Sequence, residues 1–150
     1  MRIVIQRVSN SSVTVNGKVV GAIDNGVMVL LGVTHEDNEQ DATWLSKKLC
    51  SMRLFRDEND KMNLSVKEVA GEVLVVSQFT LFASTKKGTR PSFMNAAAPE
   101  KAEVLYEFFK RSIENELGNQ VQSGVFGEDM KLSVENDGPV TITLDSKNKE

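Results

Sequence analysis

Residues 13–33 read VTVNGKVVGAIDNGVMVLLGV. Asn16-Gly17 parts two runs of alternating apolar residues. That is the signal of a two-residue type I′ hairpin, whose central positions both need positive φ. Gly26 to Val33 is apolar almost throughout, which suits a strand buried on both faces. A hairpin leading into a doubly buried strand predicts a sheet with a protected centre.

Working outward, residues 37–50 (DNEQDATWLSKKLC) read as a helix. Asp37 or Asn38 can cap it, and Ala42, Leu45 and Leu49 share one face. Residues 53–66 (RLFRDENDKMNLSV) read as a short strand, a charged turn and an extended return. After Gly71, residues 71–83 (GEVLVVSQFTLFA) supply a second fully apolar strand. A second helix is predicted from Pro99, suited to the first helical position, to Leu117, with Gly118 suited to C′. Ala102, Leu105, Tyr106, Phe109, Ile113 and Leu117 fall on one face of it, while Val104 and Phe108 point elsewhere, toward a second buried surface such as a subunit contact. Three strand-like pieces close the chain: residues 120–126, 130–136 and 139–145. Two main helices among about eight strands, mostly joined by hairpins, predict an α+β class built on largely antiparallel β-sheets. No repeat or linker interrupts residues 1–145, which read as a single domain, and the SKNKE of residues 146–150 reads as a disordered tail.

The net charge of −3 argues against a broad nucleic-acid surface, since duplex binders neutralise many phosphates. It leaves room for a site that grips the end of a single strand. Lys86, Lys87 and Arg90, followed by Phe93, form the one dense basic cluster with aromatic company; a solvated loop is the plainer reading. No apolar run approaches the ~20 residues of a membrane helix, and a cytoplasmic setting without membrane partners is the expectation.

Chemistry has few places to sit. His35 is the single histidine, and its neighbours Glu36 and Asp37 match no metal spacing, so no metal is expected. Cys50, the one cysteine, falls near the buried helix face and reads as core. Nucleotide-binding glycine motifs are absent, and no cofactor is expected. Ser77, Gln78 and Thr80 break an apolar strand where it leaves the core. They read either as a strand end turning into solvent or as the lining of a small polar pocket. No base stands near them in sequence, and an unassisted hydroxyl is a poor nucleophile. A site here needs its base from the substrate, or works through oriented N–H groups. Gly138-Pro139, before the last strand-like run, reads from its residues alone as a turn.

Three stretches taken together, VSQFTLFA (76–83), KGTRPSF (87–93) and NDGPVT (136–141), resemble the signature segments of the D-aminoacyl-tRNA deacylases. The likeness extends to MRIVIQRV (1–8), MRLFRDENDKMNLSV (52–66) and GVFGEDM (124–130). It implies a homodimeric cytoplasmic hydrolase that cleaves the ester of D-aminoacyl-tRNA, and of glycine mischarged on tRNA for alanine, while rejecting L-aminoacyl-tRNA. It also implies that the Gly138-Pro139 peptide is cis and enters the partner subunit's site. There its two carbonyls would receive the substrate α-ammonium, and backbone would exclude an L side chain. By the same resemblance Ser77, Gln78, Phe79 and Thr80 form the reaction centre, with the Phe79 and Thr80 amides holding the scissile region. The resemblance also implies that the vicinal ribose hydroxyl of the terminal adenosine takes part in activating the attacking water. Lys86, Lys87, Arg90 and Phe93 are placed at the tRNA 3′ end, Phe93 to stack and the cations near phosphates.

Glu128, where relatives commonly carry a small residue, and Ser11-Ser12, where alanine is usual, depart from the family pattern. Two rival functions use the same residues: a non-catalytic dimeric module binding RNA ends, and a Ser/Thr esterase with Thr80 or Ser77 as nucleophile.

Overall fold

The computed structural model describes residues 1–149. Eight strands, two α-helices and one 3-10 turn follow in the order β1 (Arg2–Val15), β2 (Lys18–Ile23), β3 (Gly26–Gly32), α1 (Glu39–Ser51), β4 (Arg53–Arg56), β5 (Met62–Ser65), β6 (Glu72–Ser77), the 3-10 turn (Phe79–Phe82), α2 (Pro99–Leu117), β7 (Gln122–Ser123) and β8 (Lys131–Asp145). The β1–β2 turn has positive φ at both Asn16 (49°) and Gly17 (77°), as the hairpin signal requires. Asn38 caps α1 in a capping box with Asp41, and Gly118 closes α2 in the left-handed conformation.

The α+β class holds and most strand pairings are antiparallel, but the main sheet is mixed, with two parallel pairings. Its order is β2-β1-β3-β6-β7, with β8 also paired to β1. β1 runs antiparallel to β2, β3 and β8, whereas β3–β6 and β6–β7 are parallel. α1 and the small β4–β5 hairpin fill the crossover from β3 to β6. Continuous apolar runs are the pattern of parallel strands covered on both faces. Here Val27, Val29, Leu31, Val73 and Val75 pack toward the helices with Leu45, Leu49, Leu105, Tyr106, Phe109 and Ile113. Met28, Leu74 and Val76 pack on the opposite face with Val8, Val13 and Ile23. Each fully buried large aliphatic or aromatic side chain in these clusters contributes about 1.5–3 kcal/mol.

Two further expectations change. The closing strand-like pieces are a two-residue β7 and one fifteen-residue β8 that runs through Gly138-Pro139. The pair occupies an outward excursion: β1 pairs Val8 with Asn136 and Gln6 with Thr141, so residues 137–140 bulge from the ladder, where proline's missing N–H costs nothing. The tail expected to be disordered is tied down over residues 146–149. Ser146 N–H donates to the Met1 carbonyl at 2.9 Å, Lys147 pairs with Asp41 at 2.9 Å, and the Lys149 ammonium lies 4.8 Å from the Trp44 ring centre. Residue 150 lies outside the described residues. On α2, Phe108 is partly buried against the core, and Val104 remains 62% exposed on this single chain. No described helix is long and apolar enough to cross a membrane.

Candidate active site

β6 ends at Ser77; Gln78 N–H donates to the Leu31 carbonyl at 2.7 Å, the last bond of the ladder to β3, and beyond it the chain leaves the sheet. The residues read as a continuing strand instead coil into the 3-10 turn, closed by Leu81 N–H to Gln78 O at 3.3 Å and Ala83 N–H to Thr80 O at 3.0 Å. The first amides of such a turn have no partner within it. Accordingly, Phe79 and Thr80 N–H have no acceptor among the described residues, and both residues are exposed. The Gln78 amide donates to Thr80 Oγ1. Ser77, Gln78 and Phe79 line a cavity of about 800 Å³; Thr80 stands outside its lining.

That cavity is walled by Leu31, Val33, Ala96–Ala98 and Ala102, with Tyr106, Phe126, Phe79 and Phe93 as aromatic surfaces. Ala97 N–H donates to Val33 O at 2.9 Å and Thr34 Oγ1 donates to Asn95 O at 2.6 Å, which ties the segment before α2 to the end of β3. Phe93 and Phe79 meet edge to face, ring centres 5.1 Å apart. Glu128 and Asp129 are exposed at the rim. Ser11, by contrast, is buried in the β1–β8 ladder and donates to Ser133 O at 2.8 Å.

No ionisable side chain hydrogen-bonds the Ser77 or Thr80 hydroxyl among the described residues. His35, at the cavity edge, has its Nε2 2.8 Å from the Met94 carbonyl. Burial pushes the Tyr106 hydroxyl up to about 12, and it donates to Val75 O at 2.9 Å. Burial, aided by Glu116, likewise pushes the Cys50 thiol up to about 12. Neither can act as a base near neutral pH. Among the described residues no His, Cys, Asp and Glu cluster suits a metal ion.

Lys86, Lys87 and Arg90 are exposed on a loop closed by the mutual Ser84–Ser92 backbone bonds of 2.8 and 2.9 Å. They stand outside the cavity lining, to which Phe93 belongs. Gly138-Pro139 is a cis peptide and exposed. Its base is held by Arg7, almost fully buried, whose Nη1 donates to Leu54 O at 2.6 Å and whose Nε lies 3.0 Å from the Asp137 carboxylate. Gly138 has φ +118°, and a Cβ there would lie 2.8 Å from Arg7 Nη2 and 3.0 Å from Val140 Cγ2.

The structure therefore brings Ser77, Gln78, Phe79 and Phe93 to one cavity and places Thr80 next to it. It does not bring Gly138-Pro139 there within one chain. Its turn lies over the β1–β3 level of Arg2 and Gly32, while the excursion begins beyond Gln6. Four residues of β1 at about 3.4 Å each separate these levels by about 14 Å. Sequence reasoning missed the cavity walls Tyr106 and Ala96–Ala98, and Arg7. Phe126 lies in GVFGEDM (124–130), a stretch whose resemblance implies no role for it.

The family model described as D-Tyr-tRNA(Tyr) deacylase matches residues 4–145. The chain is 55% identical to the D-aminoacyl-tRNA deacylase of Flavobacterium psychrophilum over 150 residues, the whole of both chains. It is 57% identical over 149 residues to that of Christiangramia forsetii, covering 99% of each. A solved structure described as c-Myc DNA Unwinding Element Binding Protein superposes with a TM-score of 0.90 at 38% identity, over 97% of this chain and 98% of that one. A second, described as a probable eukaryotic D-amino acid tRNA deacylase, gives a TM-score of 0.81 at 20% identity, over 95% and 97%, and so shares the fold.

Proposed function

The chain belongs to the D-Tyr-tRNA(Tyr) deacylase family, and we propose that the turn at Ser77–Thr80, with the aromatic cavity beside it, is where it cleaves its substrate. The activity is hydrolysis of the ester of D-aminoacyl-tRNA. The observation that carries the site is the pair of unpartnered amides at Phe79 and Thr80, adjoining a cavity that suits a nucleoside.

The terminal adenosine enters the cavity with its base against Phe126 and Phe93, since aromatic faces bind single-stranded bases at about 1–3 kcal/mol each. Lys86, Lys87 and Arg90 stay outside to meet the phosphates that precede it. The ester carbonyl lies at the turn, where the Phe79 and Thr80 amides receive the negative charge that develops on its oxygen. Water adds to the carbonyl carbon, the bond to the ribose oxygen breaks, and that oxygen takes up a proton. Free D-amino acid and tRNA leave. With His35 bound to a carbonyl and Tyr106 and Cys50 held protonated, the vicinal ribose hydroxyl assists the water.

Gly138-Pro139 is too far along the sheet to reach its own chain's turn, so its part in the reaction needs a second copy. A homodimer in which each excursion covers the partner's turn places main-chain atoms against the substrate α-carbon. A D side chain then has open space and an L side chain meets backbone. Glycine, with nothing to exclude, passes as a substrate. A cytoplasmic setting fits this substrate.

Thr80→Ala is expected to retain measurable turnover of D-aminoacyl-tRNA, reduced by about tenfold, because the amides remain and only the hydroxyl held by Gln78 is lost. The wild-type protein is expected to leave a simple activated ester uncleaved. An acyl group trapped on Thr80 during turnover would instead establish the covalent esterase. Stoichiometric binding of charged tRNA without release of amino acid would establish a binding module.

A further inference from the structure

Asp145, Arg2 and Gly32 stand in one row across three strands. β1 pairs Arg2 with Gly32 of β3 on one side and with Asp145 of β8 on the other. Directly opposed residues of neighbouring strands share a face of the sheet. The Phe79–Phe82 turn lies over this row. Gly32 leaves room for it: a Cβ there would come to 3.0 Å from the Gln78 carbonyl oxygen, 3.0 Å from Leu81 Cβ and 3.2 Å from the Phe82 ring.

Arg2 grips the turn from the adjacent position. Its Nη1 donates to the Leu81 carbonyl at 2.7 Å, and its guanidinium lies 4.7 Å from the Phe82 ring centre. Nε and Nη2 donate to one oxygen of Asp145 at 3.0 and 2.9 Å, which fixes the plane of the fork. Burial pushes the Asp145 carboxyl up, but the Lys147 amide and the Arg2 guanidinium outweigh it and hold it below the ordinary carboxylate range. A partly exposed ion pair of this kind adds little to stability. Its geometric effect is larger, because the fork meets the carbonyl one residue beyond the Thr80 amide.

We propose that Arg2, aligned by Asp145 and working over the space left at Gly32, is a positioning residue that fixes the Phe79–Phe82 turn for ester hydrolysis. The proposal rests on that turn being the reaction centre. Displacement of reacting groups by about 1 Å can cost about 100-fold in rate, so a loosened turn should show in turnover before it shows in stability.

The test uses the full chain with Arg2→Gln, Arg2→Lys, Asp145→Asn and Gly32→Ala, and reads three things. These are kcat and KM on D-aminoacyl-tRNA, the melting temperature, and hydrogen exchange at the Leu81 and Ala83 amides, whose bonds to Gln78 O and Thr80 O close the turn. Arg2→Gln is expected to lower kcat by about 10- to 100-fold with KM within about twofold, and to change exchange at both amides. Arg2→Lys restores only part of the rate, because an ammonium lacks the planar fork. Asp145→Asn falls between, and combining it with Arg2→Gln adds nothing further. Gly32→Ala, which presses on the turn from beneath, gives the same split of kcat from KM. Should Arg2→Gln fail to fold, Gly32→Ala and Asp145→Asn carry the test. Unchanged exchange and unchanged kcat in the folded variants overturn the proposal and leave the reaction centre standing. Altered exchange with wild-type kcat overturns both the proposal and the placement of the reaction at this turn.

Discussion

Gly138→Ala is expected to slow release of D-amino acid from tRNA by about 100-fold or more while leaving a folded protein. At φ +118° an L residue is strained wherever it sits, at a cost of order 1–3 kcal/mol. The new Cβ also meets Arg7 Nη2 at 2.8 Å and Val140 Cγ2 at 3.0 Å. Arg7 cannot swing aside cheaply, since it is almost fully buried, bonded to Leu54 O and paired with Asp137. The excursion must therefore move, and it is the segment proposed to cover a partner's substrate. Its exposed position and its bulge from the β1–β8 ladder keep the cost within the 5–15 kcal/mol stability of an ordinary domain. Single-turnover deacylation beside a thermal melt checks both halves. Wild-type turnover in a normally melting variant would remove Gly138 from the reaction.

A tRNA ending in 2′-deoxyadenosine, charged on its 3′ hydroxyl, is expected to bind nearly as well as the natural substrate and to be cleaved about 100-fold more slowly or worse. The ribose hydroxyl can accept a hydrogen bond from the attacking water, orient it and relay its proton. Proton transfer by a positioned group contributes about 10²- to 10⁴-fold, and nothing beside the turn replaces this hydroxyl once it is gone. His35 is turned to the Met94 carbonyl, Tyr106 is held protonated on Val75 O, and Thr80 receives its hydrogen bond from Gln78. Binding measured by competition and cleavage measured under single-turnover conditions separate the two effects. Full-rate cleavage would mean that a protein side chain activates the water.

Local features were legible in the sequence because each rests on a few adjacent residues. Asn16-Gly17 announced its turn, Asn38 its cap, and Pro99 and Gly118 the two ends of α2. Strand direction was legible only in part: β1 pairs antiparallel with β2, β3 and β8, whereas the unbroken apolar runs at Gly26–Val33 and Val73–Val76 carry the burial pattern of parallel strands. The Asn16-Gly17 hairpin beside them points instead to antiparallel pairing, and a burial pattern alone does not give direction. Gly138-Pro139 reads as a break between two strands because a proline argues against a strand interior; a bulge that lifts residues 137–140 out of the ladder removes the conflict. The tail looked solvated by composition, but Ser146 and Lys147 find partners at Met1 and Asp41, contacts that span the length of the chain.

The candidate site divides in the same way. Ser77–Thr80 stood out as polar residues ending an apolar strand, although the 3-10 turn that frees two amides did not. The cavity is assembled from β3, the segment before α2, α2 itself and residues 126–130, so no single stretch displays it. Arg7 and Arg2 act across strand pairings, and a basic residue in an apolar strand carries no local mark of the carbonyl it will meet.

The most direct measurement offers the protein D- and L-aminoacyl-tRNA of the same amino acid and tRNA, mixed in one reaction, and follows the release of each enantiomer. The expected result is release of the D-amino acid while the L-aminoacyl-tRNA decays no faster than it does in buffer. Equal release of both enantiomers would contradict a site in which main-chain atoms exclude the L side chain.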